Sequence, residues 1–244
     1  MSNTEKTQAK HKNDIYGDDI ATREGGSPAI PAATVVLLRD TPELEVLMLH
    51  KSSSIAFGGM WVFPGGRIDP QDYPQDGDPN TAARNAAVRE TREEAGIGAR
   101  PEDFVWFAHW TPPPSTPKRF STWFFAARAD DHNVEIDGGE IQNHQWLNPS
   151  LALQRHAAGE IDLAPPTWVT LYQLAQHDST DAVLQHLGNP EPEFYETRLA
   201  KRRDGTRIAM WHGDAGYAAW DADMPGSRHR LVLSPGGFVF EHTA

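Results

Sequence analysis

From residue 28 onward, apolar residues fall into short dense runs separated by polar stretches rich in Gly and Pro. AATVVLLRD (32–40) and LEVLMLHKS (44–52) are rich in β-branched and aliphatic residues and flank the turn-like TPE, which predicts two neighbouring strands. FGGMWVFPGG (57–66) is a glycine-rich aromatic segment that ends in a turn, and IDPQDYPQDGDPN (68–80) has the composition of a surface loop. TAARNAAVRETREEAG (81–96) reads as a helix of alanines and charges, with Asp78 or Asn80 placed to cap its start and Gly96 at the left-handed C′ position. Strands return over DFVWFAHWT (103–111) and RFSTWFFAARA (119–129). GEIQNHQWLNP (139–149) leads into a short helix, LALQRHAAG, and APPTWVTLYQLAQH (164–177) starts another behind its prolines. The C-terminal stretch holds two hairpin-like pairs, turning at Asp204-Gly205 and at Pro235-Gly236-Gly237. Residues 1–27 lack apolar periodicity and predict a disordered or loosely docked tail. This order of strands, helix, strands, helices and strands predicts an α+β sandwich with a mixed sheet rather than regular βαβ units.

Composition narrows the function classes. With 244 residues, 39% of them hydrophobic, the chain can bury the core of one large domain or of a domain with an appendage. A net charge of −12 argues against nucleic acid or an anionic membrane as a partner, so a phosphate substrate would have to be met by local basic residues or a bound cation. The absence of cysteine excludes disulfides and thiol chemistry and fits a reducing cytoplasm. No apolar run is long enough to span a bilayer and no signal-peptide pattern opens the chain, so a soluble cytoplasmic protein is expected.

The stretch RETREEAGI (89–97) crowds three glutamates into the last turns of the expected helix. At about 100° per residue, Glu90, Glu93 and Glu94 share one sector of the helix surface. Like charges four residues apart cost roughly 0.2–0.5 kcal/mol, and carboxylates near a helix C-terminus face the negative end of its dipole. Only Glu93 has a basic partner at i−4, Arg89, whereas alanines 83, 86 and 87 continue the Glu90 side and permit close approach of another segment. The arrangement is read either as an acidic, water-facing helix end or as a site for a hard divalent cation.

The surrounding residues carry the decision. R-E-T-R-E-E-A-G-I resembles the second half of the Nudix box, R-E-U-x-E-E-x-G-U, with Thr91 at a usually apolar position, and Phe63-Pro64-Gly65-Gly66 resembles the loop that opens the box. The spacing departs from that pattern: residues 67–88 separate Gly66 from Arg89, nine more than the box has. The place of the first box glutamate falls on Asp72 counting forward and on Thr81 counting back. The resemblance implies a Nudix α/β/α sandwich over residues 28–160, with a tail over 1–27 and a C-terminal helix and β-hairpin extension over 161–244 packed on it. It also implies Mg²⁺ or Mn²⁺ held by Glu90, Glu93 and Glu94 with the carbonyl of Gly65. Glu93 and Glu94 would be catalytic, and Arg89 would pair with an acidic neighbour. Glu140, six residues before Trp146, is expected as a further ligand or general base.

The reaction so implied is hydrolysis of the diphosphate bond of a nucleoside diphosphate linked to another group, by water activated at the metal. The WTPP…RFSTWFF and LAPPT stretches resemble the coenzyme A diphosphatase branch of the family, so coenzyme A or acyl-CoA is the first expected substrate, with ADP-ribose and NADH next. Lys51, Arg67 and Arg119 are candidates for phosphate contacts. Trp110, Trp123, Phe124 and Phe125 fit core packing better than base stacking. The competing class is a non-catalytic Nudix-fold sensor of a nucleotide metabolite; such proteins commonly erode the glutamates that stand here. The extension is expected either to complete the substrate pocket or to form a homodimer interface.

Overall fold

The computed structural model describes residues 11–17, 19–20, 26–53, 57–130 and 133–243. The chain forms two compact units. The larger comprises Ala29–Trp110 and Phe120–Glu193; the smaller comprises Met1–Pro28, Thr111–Arg119 and Phe194–Ala244.

The larger unit is built on a mixed sheet. Its strands are β1 (Ile30–Asp40), β2 (Leu44–Lys51), β3 (Trp61–Val62), β4 (Gly65–Arg67), β5 (Val105–Thr111), β6 (Phe120–Arg128) and β7 (Ile141–Leu147). They run in the order β3-β2-β1-β6-β5, with β4 also pairing β1 and β7 also pairing β2. β1 lies parallel to β6 from Ile30↔Phe120 to Leu38↔Arg128 and is buried from Ala32 to Leu38. Both faces of this strand are therefore covered, which is why its sequence is a continuous apolar run rather than an alternation. On one face Ala33, Val35 and Leu37 join Ala82, Ala83, Ala86 and Ala87 of the helix α1 (Pro79–Ala95) in one core cluster. The alanine stripe lets α1 lie close on β1 and β4. Val36 and Leu38, pointing the other way, are fully buried as well, and α4 (Thr180–Gly188) packs on β1 and β6. The result is an α/β/α sandwich, as the sequence predicts. The helices α2 (Pro149–Ala157) and α3 (Pro165–Leu174) pack on one another, and α2 also meets β2. Both α3 and α4 belong to this unit, although both fall in the stretch expected as a C-terminal extension.

The cap of α1 is Asp78, which accepts from the Thr81 amide at 2.8 Å and the Thr81 hydroxyl at 2.6 Å. Gly96 ends the helix at φ 69°, donating to the carbonyl of Arg92. Thr91, the polar departure from the box pattern, is buried with its hydroxyl satisfied, donating to the carbonyl of Ala87 at 2.7 Å.

β8 (Glu193–Glu196) carries the chain from the larger unit into the smaller one. There β9 (Arg198–Lys201), β10 (Arg207–Met210), β11 (His229–Ser234) and β12 (Gly237–His242) form an antiparallel sheet in the order β12-β11-β10-β9. The turns fall where the Asp-Gly and Pro-Gly-Gly signals place them. Of the expected tail, residues 1–10, 18 and 21–25 lie outside the described residues. Asn13, Asp14 and Tyr16 are buried, and Arg207 donates to the Asp14 carboxylate and to the carbonyl of Gly17. This part of the tail is docked.

The deepest ion pair of the smaller unit joins Asp214 to Arg230, both with fully buried side chains. Arg230 donates to the two carboxylate oxygens at 2.6 Å each and to the carbonyl of Ala222 at 2.7 Å. Burial alone would raise the Asp214 pKa; hydrogen bonds from Arg230 and from the His229 and Gly216 amides outweigh it and hold the carboxyl below its usual range. Asp214→Asn leaves a buried guanidinium without its charge partner and is expected to cost about 3–5 kcal/mol. Urea unfolding of both proteins at neutral pH checks this. Because the folded pKa is depressed, the wild-type advantage must shrink as pH falls through the acid range below the unfolded carboxylate value.

Candidate active site

The two central strands open a wedge. β2 pairs with β1 only at Leu38–Asp40, while one edge of β2 is taken by β7 and one edge of β1 by β6. The facing edges are filled by the Trp61–Arg67 segment: β3 bonds β2 at Leu49 and His50, and β4 bonds β1 from Ala32 to Thr34. The loop Phe63-Pro64-Gly65-Gly66 is thereby set between the strands. The carbonyl of Pro64 accepts from the Val35 amide at 3.0 Å and from the Thr34 hydroxyl at 2.6 Å.

Two α1 carboxylates close on this loop. The Gly65 amide donates to Glu94 Oε2 at 2.9 Å. The Glu90 carboxylate lies against Gly66 so closely that a Cβ there would overlap it. Glu94 is buried, and its Oε1 accepts no hydrogen bond; Lys51 Nζ lies 3.0 Å away at ion-pair distance but without hydrogen-bond alignment. Burial raises the Glu94 pKa to about 7, against the opposing charge of Lys51 and the Gly65 amide and with a contribution from Glu90. Burial also raises Glu90, helped by Glu93 and opposed by Arg89 and Lys51.

Arg89 resolves the two counts of the box. Its guanidinium grips Asp72, Nε to Oδ1 at 3.0 Å and Nη2 to Oδ2 at 2.9 Å, and donates to the Arg67 carbonyl at 3.0 Å. Of the two counted positions it is therefore Asp72 that meets Arg89, while Thr81 donates to Asp78, the cap of α1. Burial would raise the Asp72 pKa, but Arg89 and the Asp69 amide outweigh it and lower it. The other edge of the guanidinium donates to Glu90 at 2.8 Å and to Glu93 at 3.1 Å. Arg89 thus ties the loop to the helix.

The remaining expected residues are placed as follows. Glu93 and Glu140 are mostly exposed, and Glu140 Oε2 lies 3.9 Å from Lys51 Nζ. Arg67 is exposed and paired with Asp69 at 2.8 Å. Arg119 lies in the smaller unit, where its guanidinium is spent on the carbonyls of Pro112 and Ser27. Trp110, Phe124 and Phe125 are buried, and Trp123 is half-buried against the core. Lys51, expected at a phosphate, sits instead among the carboxylates; no spacing in the sequence shows that.

Among the described residues no three acidic or histidine side chains converge closely enough to hold a metal ion as they stand. The cause is visible: Glu90 and Glu93 are held by Arg89, and Glu94 by Gly65 and Lys51. The donor set nevertheless fits a hard divalent cation. It offers oxygens, chiefly of carboxylates, with Glu94 Oε1 buried and facing Lys51, beside a glycine that leaves Glu90 room.

The family model for the NUDIX domain matches residues 28–168. The CTP pyrophosphohydrolase of Escherichia coli (strain K12) is 25% identical over 136 residues, 55% of this chain and 76% of that protein. A Nudix hydrolase structure from Alicyclobacillus acidocaldarius superposes with a TM-score of 0.58 at 23% identity, covering 68% of this chain and 100% of that one, and so shares its fold. No helix of the described residues is long and apolar enough to cross a membrane. With the family model spanning more than half of the chain, on an α/β/α sandwich whose loop and glutamate helix meet as described, the protein belongs to the Nudix family and is a hydrolase acting on pyrophosphate bonds.

Proposed function

We propose that the chain hydrolyses the diphosphate bond of a nucleoside diphosphate linked to another group, with Mg²⁺ or Mn²⁺ as cofactor. Coenzyme A or acyl-CoA is the first substrate class and ADP-ribose or NADH the next. The observation that carries this reading is Glu94: a buried carboxylate beside Glu90, with one oxygen fixed by the Gly65 amide and the other facing the Lys51 ammonium at 3.0 Å. A buried carboxylate calls for positive charge beside it, and two of them side by side suit a divalent cation better than one ammonium.

Glu90 and Glu94 would hold the cation, with Gly65 through its carbonyl and Glu93 and Glu140 from the exposed side. When bound, it supplies charge to offset the diphosphate and acidifies a water toward neutrality. Glu93 and Glu140, being exposed, are the carboxylates able to take the proton of the attacking water. Arg67, exposed and paired with Asp69, would meet a phosphate once it leaves that partner. Arg89 keeps the loop on the helix through Asp72 and so positions Glu90. The coenzyme A assignment rests on the sequence resemblance of residues 110–125 and 163–167.

The test is product analysis. The protein is incubated with coenzyme A, acetyl-CoA, ADP-ribose, NADH and CTP in Mg²⁺ or Mn²⁺, with ¹⁸O water marking the attacked phosphorus. Cleavage of one linked nucleoside diphosphate, abolished by EDTA and restored by the metal, is the expected result. Cleavage of CTP alone would overturn the substrate class. No cleavage, with a panel member still raising the melting temperature, would favour a sensor over an enzyme.

A further inference from the structure

Lys51 ends β2 with its ammonium turned inward, 3.0 Å from Glu94 Oε1 and 3.9 Å from Glu140 Oε2. Its side chain is 12% exposed; those of Glu94 and Glu140 are 6% and 64% exposed. The backbone beneath it is fixed. Lys51 donates its amide to the Met60 carbonyl, accepts from the Gly59 amide, and is followed by Ser52, which donates to the Glu140 carbonyl at 2.8 Å. The root of the side chain is therefore anchored, while the charge at the end of its four-carbon stem stands between a buried carboxylate and an exposed one. A lysine ammonium is a compact point charge on a flexible stem, suited to changing partners. An ammonium and a divalent cation at contact with the same carboxylate oxygen repel each other, so a cation bound there loosens the hold of the ammonium.

We infer that Lys51 is a stand-in cation: its ammonium occupies Glu94 Oε1 until a divalent cation takes that oxygen, and is then released toward Glu140, where a substrate diphosphate can use it. This inference rests on the metal-dependent reading above. It makes Lys51 a positioning residue for the metal-free site and reconciles the phosphate role expected from sequence with the place the side chain holds. It also gives the buried Glu94 oxygen a positively charged neighbour before the cation arrives.

The full-length protein, stripped with EDTA and dialysed, is titrated with Mn²⁺ while the free ion is followed by electron paramagnetic resonance. Lys51→Met removes the competitor and its repulsion, so Mn²⁺ is expected to bind about tenfold tighter than in wild type. Lys51→Arg substitutes a fork that grips a carboxylate through two bonds, and binding is expected to weaken several-fold. Equal or weaker binding by Lys51→Met overturns the inference. Should that variant not fold, Lys51→Arg decides alone: weaker binding supports the stand-in role, and equal or tighter binding overturns it. Glu94→Gln separates the two levels: if it binds Mn²⁺ as wild type does, the metal assignment itself is wrong, whatever Lys51 does.

Discussion

Glu94→Gln is expected to lose at least a thousandfold in kcat and, in metal-free buffer at pH 8, to be more stable than the wild type. The two effects have one cause. Glutamine keeps the shape and can still accept from the Gly65 amide, but it carries no charge for a cation. Loss of a group that holds the activating cation costs as much as loss of a general acid or base together with part of the electrostatic stabilisation, hence the large factor. The stability gain follows from the raised pKa. Glu94 is pushed up to about 7 from an ordinary value of 4.5, so between those pH values the folded chain holds a proton that the unfolded chain has released. Stability from this group is therefore highest below the unfolded value and falls as pH rises through the window, reaching a deficit on the order of 3 kcal/mol above it. The glutamine variant has no such deficit, less whatever Lys51 loses with its partner. Urea denaturation in EDTA at pH 4.5, 6 and 8 should show the two proteins converging at the acid end and the variant ahead at the alkaline end. A difference that does not change with pH, or a kcat within tenfold of wild type, would refute the assignment.

The part of the site that was legible in the sequence is the part carried by one local element. Glu90, Glu93, Glu94 and Arg89 lie on a single helix whose cap, alanine stripe and terminal glycine are all written in consecutive residues, so both the element and its acidic sector follow from spacing. The choice between Asp72 and Thr81 was not legible, because counting gives both and only the guanidinium of Arg89, meeting Asp72 across a folded loop, decides. Lys51 among the carboxylates was hidden for the same reason: β2 and α1 are brought together by the wedge between β1 and β2, a property of register rather than of either segment. Arg119 resembles a phosphate ligand by charge, yet its donors go to backbone carbonyls, a use to which composition is blind. The helix α4, absent from the predicted elements, does carry a local signal, since Ser179 caps its start by accepting from the Ala182 amide; what the sequence hides is the distant Asp40, which accepts from the Thr180 amide and hydroxyl. The buried Asp14, held by Arg207, lies in a stretch whose polarity points to a tail, since a polar residue buried by a partner far along the chain leaves no local pattern.

The neighbouring glycines of the loop are expected to fail in two different ways when given a methyl group. At Gly65 a Cβ would stand 2.7 Å from the Cα and Cβ of Thr34 and closer still to the carbonyl oxygen of Ala33, all on or rooted in the backbone of β1. Nothing there can rotate away, and β1 is pinned on its other edge by β6, so Gly65→Ala must pry the loop out of the wedge. A stability loss of about 2–4 kcal/mol is expected, as for overpacking a site that cannot relax. At Gly66 the obstacle is the Glu90 carboxylate, with Oε2 at 2.7 Å and the other oxygen nearer, and a glutamate side chain can swing aside. Gly66→Ala should therefore fold with a loss within about 1 kcal/mol, while the displaced carboxylate weakens Mn²⁺ binding by roughly tenfold or more. Thermal or urea unfolding in EDTA, paired with Mn²⁺ titration, separates the two outcomes. If Gly66→Ala bound Mn²⁺ as wild type does, Glu90 would not be a ligand that depends on this loop. If Gly65→Ala were as stable as wild type, the wedge would not be the rigid seat that holds the loop against Glu94.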